Sequence, residues 1–166
     1  MAHADTDPAR PGHRRVGGLV LIRNISGHVL LVKPTDKDGW QLVGGGALPG
    51  EPPHLAARRE AIEETGLAGL IPGALLIVDY IPANPNTGAA EGLNFVFDAD
   101  PVPDGTTITL PAAKPGEQPE LGNWTFVPPS QLGDYCQPYQ HRRIIEALDA
   151  LHDPNRRGFR VRGRAV

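Results

Sequence analysis

Sulfur and aromatic side chains are scarce in this chain: it has one cysteine, one methionine, four phenylalanines, three tyrosines and two tryptophans. A single Cys136 excludes an internal disulfide and suits a reducing, cytoplasmic compartment. No motif around it supports a nucleophile, so it reads as a buried or idle thiol. No apolar run reaches the length needed to cross a membrane. The N-terminus lacks the apolar core of a signal peptide, and none is expected. No internal repeat is evident. Charge is neither abundant nor one-sided, at 21% charged residues and a net charge of −3. That balance argues against a surface wholly devoted to nucleic acid. Few aromatics also means few platforms for stacking on a base; Tyr80, Phe95, Trp124 and Tyr139 are the candidates, with core packing the expectation for Phe95.

What the chain has is ordinary globular composition, 40% hydrophobic over 166 residues, enough for one domain with a real core. It also has one unusual stretch, Gly45 to Leu67, which reads GGALPGEPPHLAARREAIEETGL. Pro52 and Pro53 suit the first turn of a helix, where a missing N–H costs little. Gly66 suits its stop, because glycine takes the left-handed cap conformation without penalty. At about 100° per residue, Glu60, Glu63 and Glu64 share a sector of roughly 100°. Like charges one turn apart repel. They either face water or are neutralised by a cation, and hard oxygen donors favour Mg²⁺ or Mn²⁺ over zinc. Alone, such a run is an ordinary solvated face. Gly44, Gly45 and Gly46 just before it change the reading, since glycines bring backbone close to whatever the helix binds. Arg59 lies beside Glu60 and Glu63 and can hold an acid in place.

Gly45, Glu51, Arg59, Glu60, Ala61, Ile62, Glu63, Glu64, Thr65, Gly66 and Leu67 together resemble the signature of the Nudix hydrolases, the MutT-like pyrophosphohydrolases: G-x5-E-x7-R-E-U-x-E-E-x-G-U, with U a bulky aliphatic residue. Only Ala61 departs, small where the pattern is larger, which alters packing under the helix rather than chemistry. Upstream, Trp40, Gly44 and Gly45 match the family's W-x-x-P-G-G, with Val43 in place of proline. The resemblance implies an α-β-α sandwich around a mixed sheet. It also implies divalent ions, Mg²⁺ or Mn²⁺, held by Glu60, Glu63 and Glu64 with the Gly44 carbonyl. Arg59 would orient the carboxylates, Glu63 would serve as ligand or base, and Glu51 as an outer ligand or structural acid. In many members a further glutamate precedes a later strand; counting back from Phe126-Val127 gives Glu120, with Glu117 second.

Element signals fit that outline. Residues 1–15 are polar, with Pro8 and Pro11, and read as a disordered leader. The domain spans 16–152, an α/β (α+β) arrangement of strands, a central helix, strands and a terminal helix. Val16–Ile22 and Val29–Val32 read as strands joined through Ser26-Gly27, with Arg23 and Lys33 at their ends as candidate phosphate contacts. Leu70–Ile81 contains a long strand. Leu93–Phe97, Thr106–Leu110 and Asn123–Val127 are β-prone. Gln137–His152 reads as a helix with Ile144, Ile145, Leu148 and Leu151 on one face. Residues 153–166, with five arginines and no acid after Asp153, read as a flexible basic tail.

The resemblance therefore implies a metal-dependent hydrolase that cleaves the pyrophosphate of a nucleoside diphosphate linked to X, with ADP-ribose or a (d)NTP leading. Pro82, 15 positions after Leu67, is a weak pointer to ADP-ribose. The expected partner is a small nucleotide, with homodimerisation open; membrane and nucleic acid are not expected. Two alternatives stand beside this. One is a non-catalytic nucleotide sensor, which usually loses motif carboxylates that this chain keeps. The other is an RNA-end hydrolase that would draw on the arginine tail.

Overall fold

The computed structural model describes residues 14–166. The leader expected over 1–15 lies outside the described residues except for its last two, and Arg15 already opens the first strand.

The apolar runs become strands whose alternate residues face opposite ways. They are β1 (Arg15–Leu21), β2 (Val29–Pro34), β3 (Val43–Gly46), β4 (Leu75–Ile81), β5 (Gly92–Asp98), β6 (Leu121–Val127), β7 (Gly158–Val161) and β8 (Arg164–Ala165). A mixed six-stranded sheet runs β3-β1-β5-β4-β7-β8, and β2 pairs with β6 in a second, two-stranded sheet. β1 with β5 and β4 with β7 are parallel; the other pairs are antiparallel.

The helices are α1 (Pro53–Thr65), the short α2 (Leu132–Tyr135) and α3 (Pro138–His152). Leu19 and Leu21 of β1 and Val96 of β5 pack in one cluster with Ile144, Ala147 and Leu148 of α3. Val20, Ile22 and Phe97 pack in the other with Ala57 and Ala61 of α1. The two long helices thus cover opposite sheet faces, the α-β-α layering expected. Among the described residues no helix is long and apolar enough to cross a membrane.

The long strand expected within Leu70–Ile81 is Leu75–Ile81, Pro72 and Gly73 holding back its start. Two expectations are corrected. Thr106–Leu110 forms no strand; Ile108 is buried under α1's layer, and the Thr109 amide caps the Thr65 carbonyl at 2.9 Å. The largest correction concerns 153–166, which forms a hairpin on the sheet edge rather than a flexible tail. β7 pairs in register with Ile77–Tyr80, and β8 folds back on it. Arg160 is buried, its Nε donating to Glu146 at 2.8 Å. Arg156 pairs with Asp149 at 2.9 Å. The neutralising acids lie on α3, outside the arginine-rich stretch, so the local sequence looked uncompensated.

Candidate active site

Helix α1 begins at Pro53 after Pro52 and stops at Gly66, whose φ of 72° is the left-handed cap. Its buried face is alanine: Ala56, Ala57 and Ala61. Small side chains let the helix sit almost on β1. A Cβ at Gly18 would lie 2.1 Å from the Pro53 carbonyl oxygen and 2.5 Å from the Ala57 nitrogen. Glycine at 18 and alanine at 61 therefore serve one purpose, a close helix–sheet approach. That approach brings the helix's acids to the β3 glycines.

Two carboxylates meet those glycines. Glu64 is buried, and its Oε2 accepts the Gly44 amide at 2.8 Å. Burial pushes its carboxyl up to about 8, against the Gly44 N–H and with the help of the Glu60, Glu120 and Glu63 charges. Glu60 lies against Gly45, where a Cβ would come within 2.6 Å of its carboxyl carbon. Burial raises its carboxyl too, Arg59 lowers it, and Glu63 and Glu120 add to the rise.

Arg59 ties the site together. Its Nε and Nη2 grip both oxygens of Glu51 at 2.9 Å. Nη1 reaches Glu60 at 2.7 Å and Glu63 at 3.3 Å, and Nη2 also donates to the Gly46 carbonyl at 2.9 Å. Glu51 takes a further bond from the Leu48 amide at 2.8 Å. Arg59 and that amide hold the Glu51 carboxyl down to about 2. Such two-pronged guanidinium–carboxylate contacts fix orientation as well as charge.

Of the loop acids, Glu120 is the one whose charge acts on both Glu60 and Glu64. It directly precedes β6 and is anchored by Thr35 N donating to its carbonyl at 3.0 Å. Glu117 bears on neither. Among the described residues no three acid, histidine or cysteine side chains are already gathered as a metal cluster. The donor set still fits a divalent cation: Glu60 and Glu64 are desolvated, and the charges of Glu63 and Glu120 bear on both. That leaves a deficit of positive charge which hard oxygen ligands would share with Mg²⁺ or Mn²⁺. At Gly44 it is the amide, donating to Glu64, that the structure brings to the site.

The two cations expected at phosphate are not brought to these glycines. Arg23 pairs with Asp98 at 3.1 Å at the far end of β5. Lys33 turns to the Lys37 and Gly39 carbonyls at 3.4 Å and lines a separate pocket with Asp36 and Asp38. Each strand-end cation found a local partner, which strand position alone does not disclose. Trp40 packs edge-on against Tyr135 at 5.6 Å, and Trp124 against Phe126 at 6.2 Å. Both are packing residues.

Beside the glycines opens a cleft of about 670 Å³, lined by Gly44–Gly46, Arg15, Asn94, Tyr139, Gln140 and Arg143 among others. That volume suits a nucleotide-sized ligand. Sequence reading passed over Asn94, Gln140 and Arg143. The available signal was a polar residue inside an apolar strand, Asn94 between Leu93 and Phe95, and an arginine beside the apolar face of α3. Gln140 is buried with its Oε1 unpartnered. Arg143 is fixed from behind by buried Asp79, at 2.7 Å.

Comparison with known proteins agrees with this architecture. A NUDIX domain profile matches residues 13–148. The RNA pyrophosphohydrolase of Rickettsia conorii is 43% identical over 61 residues, 36% of this chain and 35% of that protein. The alignment thus spans about a third of the length of that curated relative. The RNA pyrophosphohydrolase of Novosphingobium aromaticivorans is 30% identical over 153 residues, covering 81% of this chain and 89% of that one. Among solved structures, the MutT protein from Methanosarcina mazei superposes with a TM-score of 0.67 at 23% identity, over 84% of this chain and 96% of that one. With a profile over most of its length, a relative aligned nearly end to end, and every fixed position from Gly45 to Leu67 in place, this chain belongs to the Nudix family.

Proposed function

We propose that this protein is a divalent-metal-dependent pyrophosphohydrolase acting on a nucleoside 5′-polyphosphate. The observation that carries the reading is Glu64: a buried carboxylate, raised by burial and by three neighbouring acids, that accepts the amide of Gly44, a residue lining a nucleotide-sized cleft. A folded protein holds such a group against its desolvation cost only when something compensates it. Nudix hydrolases generally use divalent metals, and Mg²⁺ is the ion this oxygen-only set suits best. Glu60 and Glu64 would hold it, with Glu63 and Glu120 completing the set. When bound, it neutralises diphosphate charge and lowers the pKa of a ligated water.

The chain's own residues do the rest. Arg59, locked by Glu51, keeps Glu60 in place. The cleft seats the nucleoside, with Asn94 and Gln140 as polar contacts and Arg143 as a fixed charge. Water attacks one phosphorus, the bridging P–O bond breaks, and its electron pair leaves on the departing phosphate. The water's proton passes to a carboxylate, for which solvent-exposed Glu120 is the choice. The products are a monophosphate and either phosphorylated X or pyrophosphate.

On substrate, the end-to-end likeness to an RNA pyrophosphohydrolase favours a 5′-triphosphate, on a free nucleotide or an RNA end, over ADP-ribose. The test is phosphate release, coupled through pyrophosphatase or alkaline phosphatase, from a panel of triphosphates, triphosphorylated RNA, ADP-ribose and sugar nucleotides with Mg²⁺. Turnover of one class, reduced about 10³-fold or more in Glu64→Gln, is expected. Ligand binding without turnover of any of them would return the chain to the sensor reading.

A further inference from the structure

One rung of the sheet floors the cleft beside the β3 glycines. Gly46 pairs with Gly17, Gly17 with Asn94, and Asn94 with Asp79. Residues directly opposite on neighbouring strands present their side chains to the same face. That face is the one α3 covers, because Asp79 pairs with Arg143 of α3 at 2.7 Å. Gly46, Gly17 and Asn94 line the cleft from the sheet, and Arg143 lines it from the helix. Gly17 leaves room for the asparagine, since a Cβ there would lie 2.8 Å from Asn94 Oδ1.

The Arg143 guanidinium is engaged along one edge and over one face. Its Nε donates to Asp79 Oδ2 at 2.7 Å. The Asp79 carboxylate is itself fixed by the Gly163 amide at 2.8 Å. The Tyr139 ring centroid lies 5.6 Å from Arg143 Cζ, within cation–π reach. Nη1 and Nη2 have no hydrogen-bond partner among the described residues. The buried side-chain polar atoms left without a partner are on Arg23 and Gln140, so these two Nη groups are not sealed in the core. They are free donors on a guanidinium held in a fixed plane, in a residue that lines the cleft.

The register also sets how far along the cleft they stand. In the order β3-β1-β5-β4, Asp79 is three strands from Gly46, roughly 14 Å across the sheet at about 4.8 Å per strand. Glu60 and Glu64 meet Gly45 and Gly44 at the β3 end, where the diphosphate would lie. Arg143 therefore stands at the opposite end of an extended nucleotide, beside the base rather than a reacting phosphate.

We propose that Arg143 reads the nucleobase, and that its two Nη donors select an intact 6-oxopurine, guanine or hypoxanthine, over adenine. The proposal rests on the pyrophosphohydrolase reading for the orientation of the ligand. A guanidinium carries donors only, so both atoms its fork meets must be acceptors. Guanine offers such a pair in O6 and N7, whereas adenine sets an N6 amino donor beside its N7. The same rule disfavours 8-oxoguanine, whose N7 carries a proton and becomes a donor.

The test is equilibrium binding by the full chain in Mg²⁺, with nucleoside monophosphates so that no turnover enters. The ligands are GMP, IMP, AMP, 7-deaza-GMP and 8-oxo-GMP. GMP and IMP should bind about tenfold or more tightly than AMP. The 7-deaza and 8-oxo analogues, which lack the N7 acceptor, should lose most of that advantage. Arg143→Lys keeps a cation beside Asp79 but removes the fork, and should narrow the GMP-to-AMP affinity ratio several-fold, with a thermal melt to confirm folding. A change of fold alone would weaken all five ligands together and leave the ratios where they were. Equal binding of GMP and AMP, equal binding of GMP and 7-deaza-GMP, binding of none of the five, or an unchanged ratio in folded Arg143→Lys would each overturn the proposal. The wild-type ratios decide by themselves if the lysine variant does not fold. Because no hydrolysis is measured, these results stand apart from the Glu64→Gln outcome.

Discussion

Two adjacent glycines provide a steric test of the site. At Gly45 an added Cβ would lie 2.6 Å from the Glu60 carboxyl carbon and 2.7 and 2.8 Å from its oxygens. Ordinary contact begins near 3.4 Å, so Gly45→Ala must push that carboxylate away by about 0.8 Å. Arg59 resists the shift, holding Glu60 at 2.7 Å while itself clamped by Glu51. A misplacement near 1 Å at a catalytic group costs on the order of 10²-fold, or about 2.7 kcal/mol in the barrier. Gly45 has no positive φ, so backbone strain does not enter. At Gly46 a Cβ meets nothing within 4 Å, and Gly46→Ala should cost far less. The assay is kcat with saturating Mg²⁺ on the cleaved substrate, with a thermal melt of each variant to confirm folding. Equal activity of the two alanine variants would refute the argument that Gly45 exists to seat Glu60.

Three further predictions concern stability. Glu51 is held down to about 2 by Arg59 and the Leu48 amide, below its unfolded value near 4.5. Its contribution is therefore complete above pH ~4.5 and is lost as pH falls toward 2; Glu51→Gln should flatten the melting temperature against pH in that window, and an unchanged slope would count against the clamp. Asp79 is buried, taking Arg143 Nε at 2.7 Å and the Gly163 amide at 2.8 Å. Asp79→Ala strands a buried guanidinium, at about 3–5 kcal/mol, and should lower the melting temperature by roughly 10 °C. Removal of 153–166 should be comparably damaging, whereas a melt indistinguishable from wild type would restore the flexible-tail view.

The motif was legible because its chemistry is local. Helix start, helix stop and the facing of Glu60, Glu63 and Glu64 all follow from 3.6-residue periodicity and from where proline and glycine are tolerated, within one stretch of chain. Most strands and α3 were legible for the same reason, and counting back from β6 pointed to Glu120, whose charge bears on Glu60 and Glu64. Where Arg23 and Lys33 point was not legible, because a cation's partner is decided by what folds beside it: Asp98 from β5 in one case, nearby carbonyls in the other. The segment after Asp153 was misread because its acids come from α3 and its backbone partners from β4.

The sequence by itself determined the family, most of the elements from β1 to α3 and the shared facing of Glu60, Glu63 and Glu64, all properties of neighbouring residues. Tertiary structure alone decided which of those carboxylates is buried, that Glu51 clamps Arg59, and which cations reach the cleft. Burial, Coulomb interaction and cavity shape depend on distances between residues far apart in the chain, and only packing α1 and α3 on opposite faces of the sheet sets those distances.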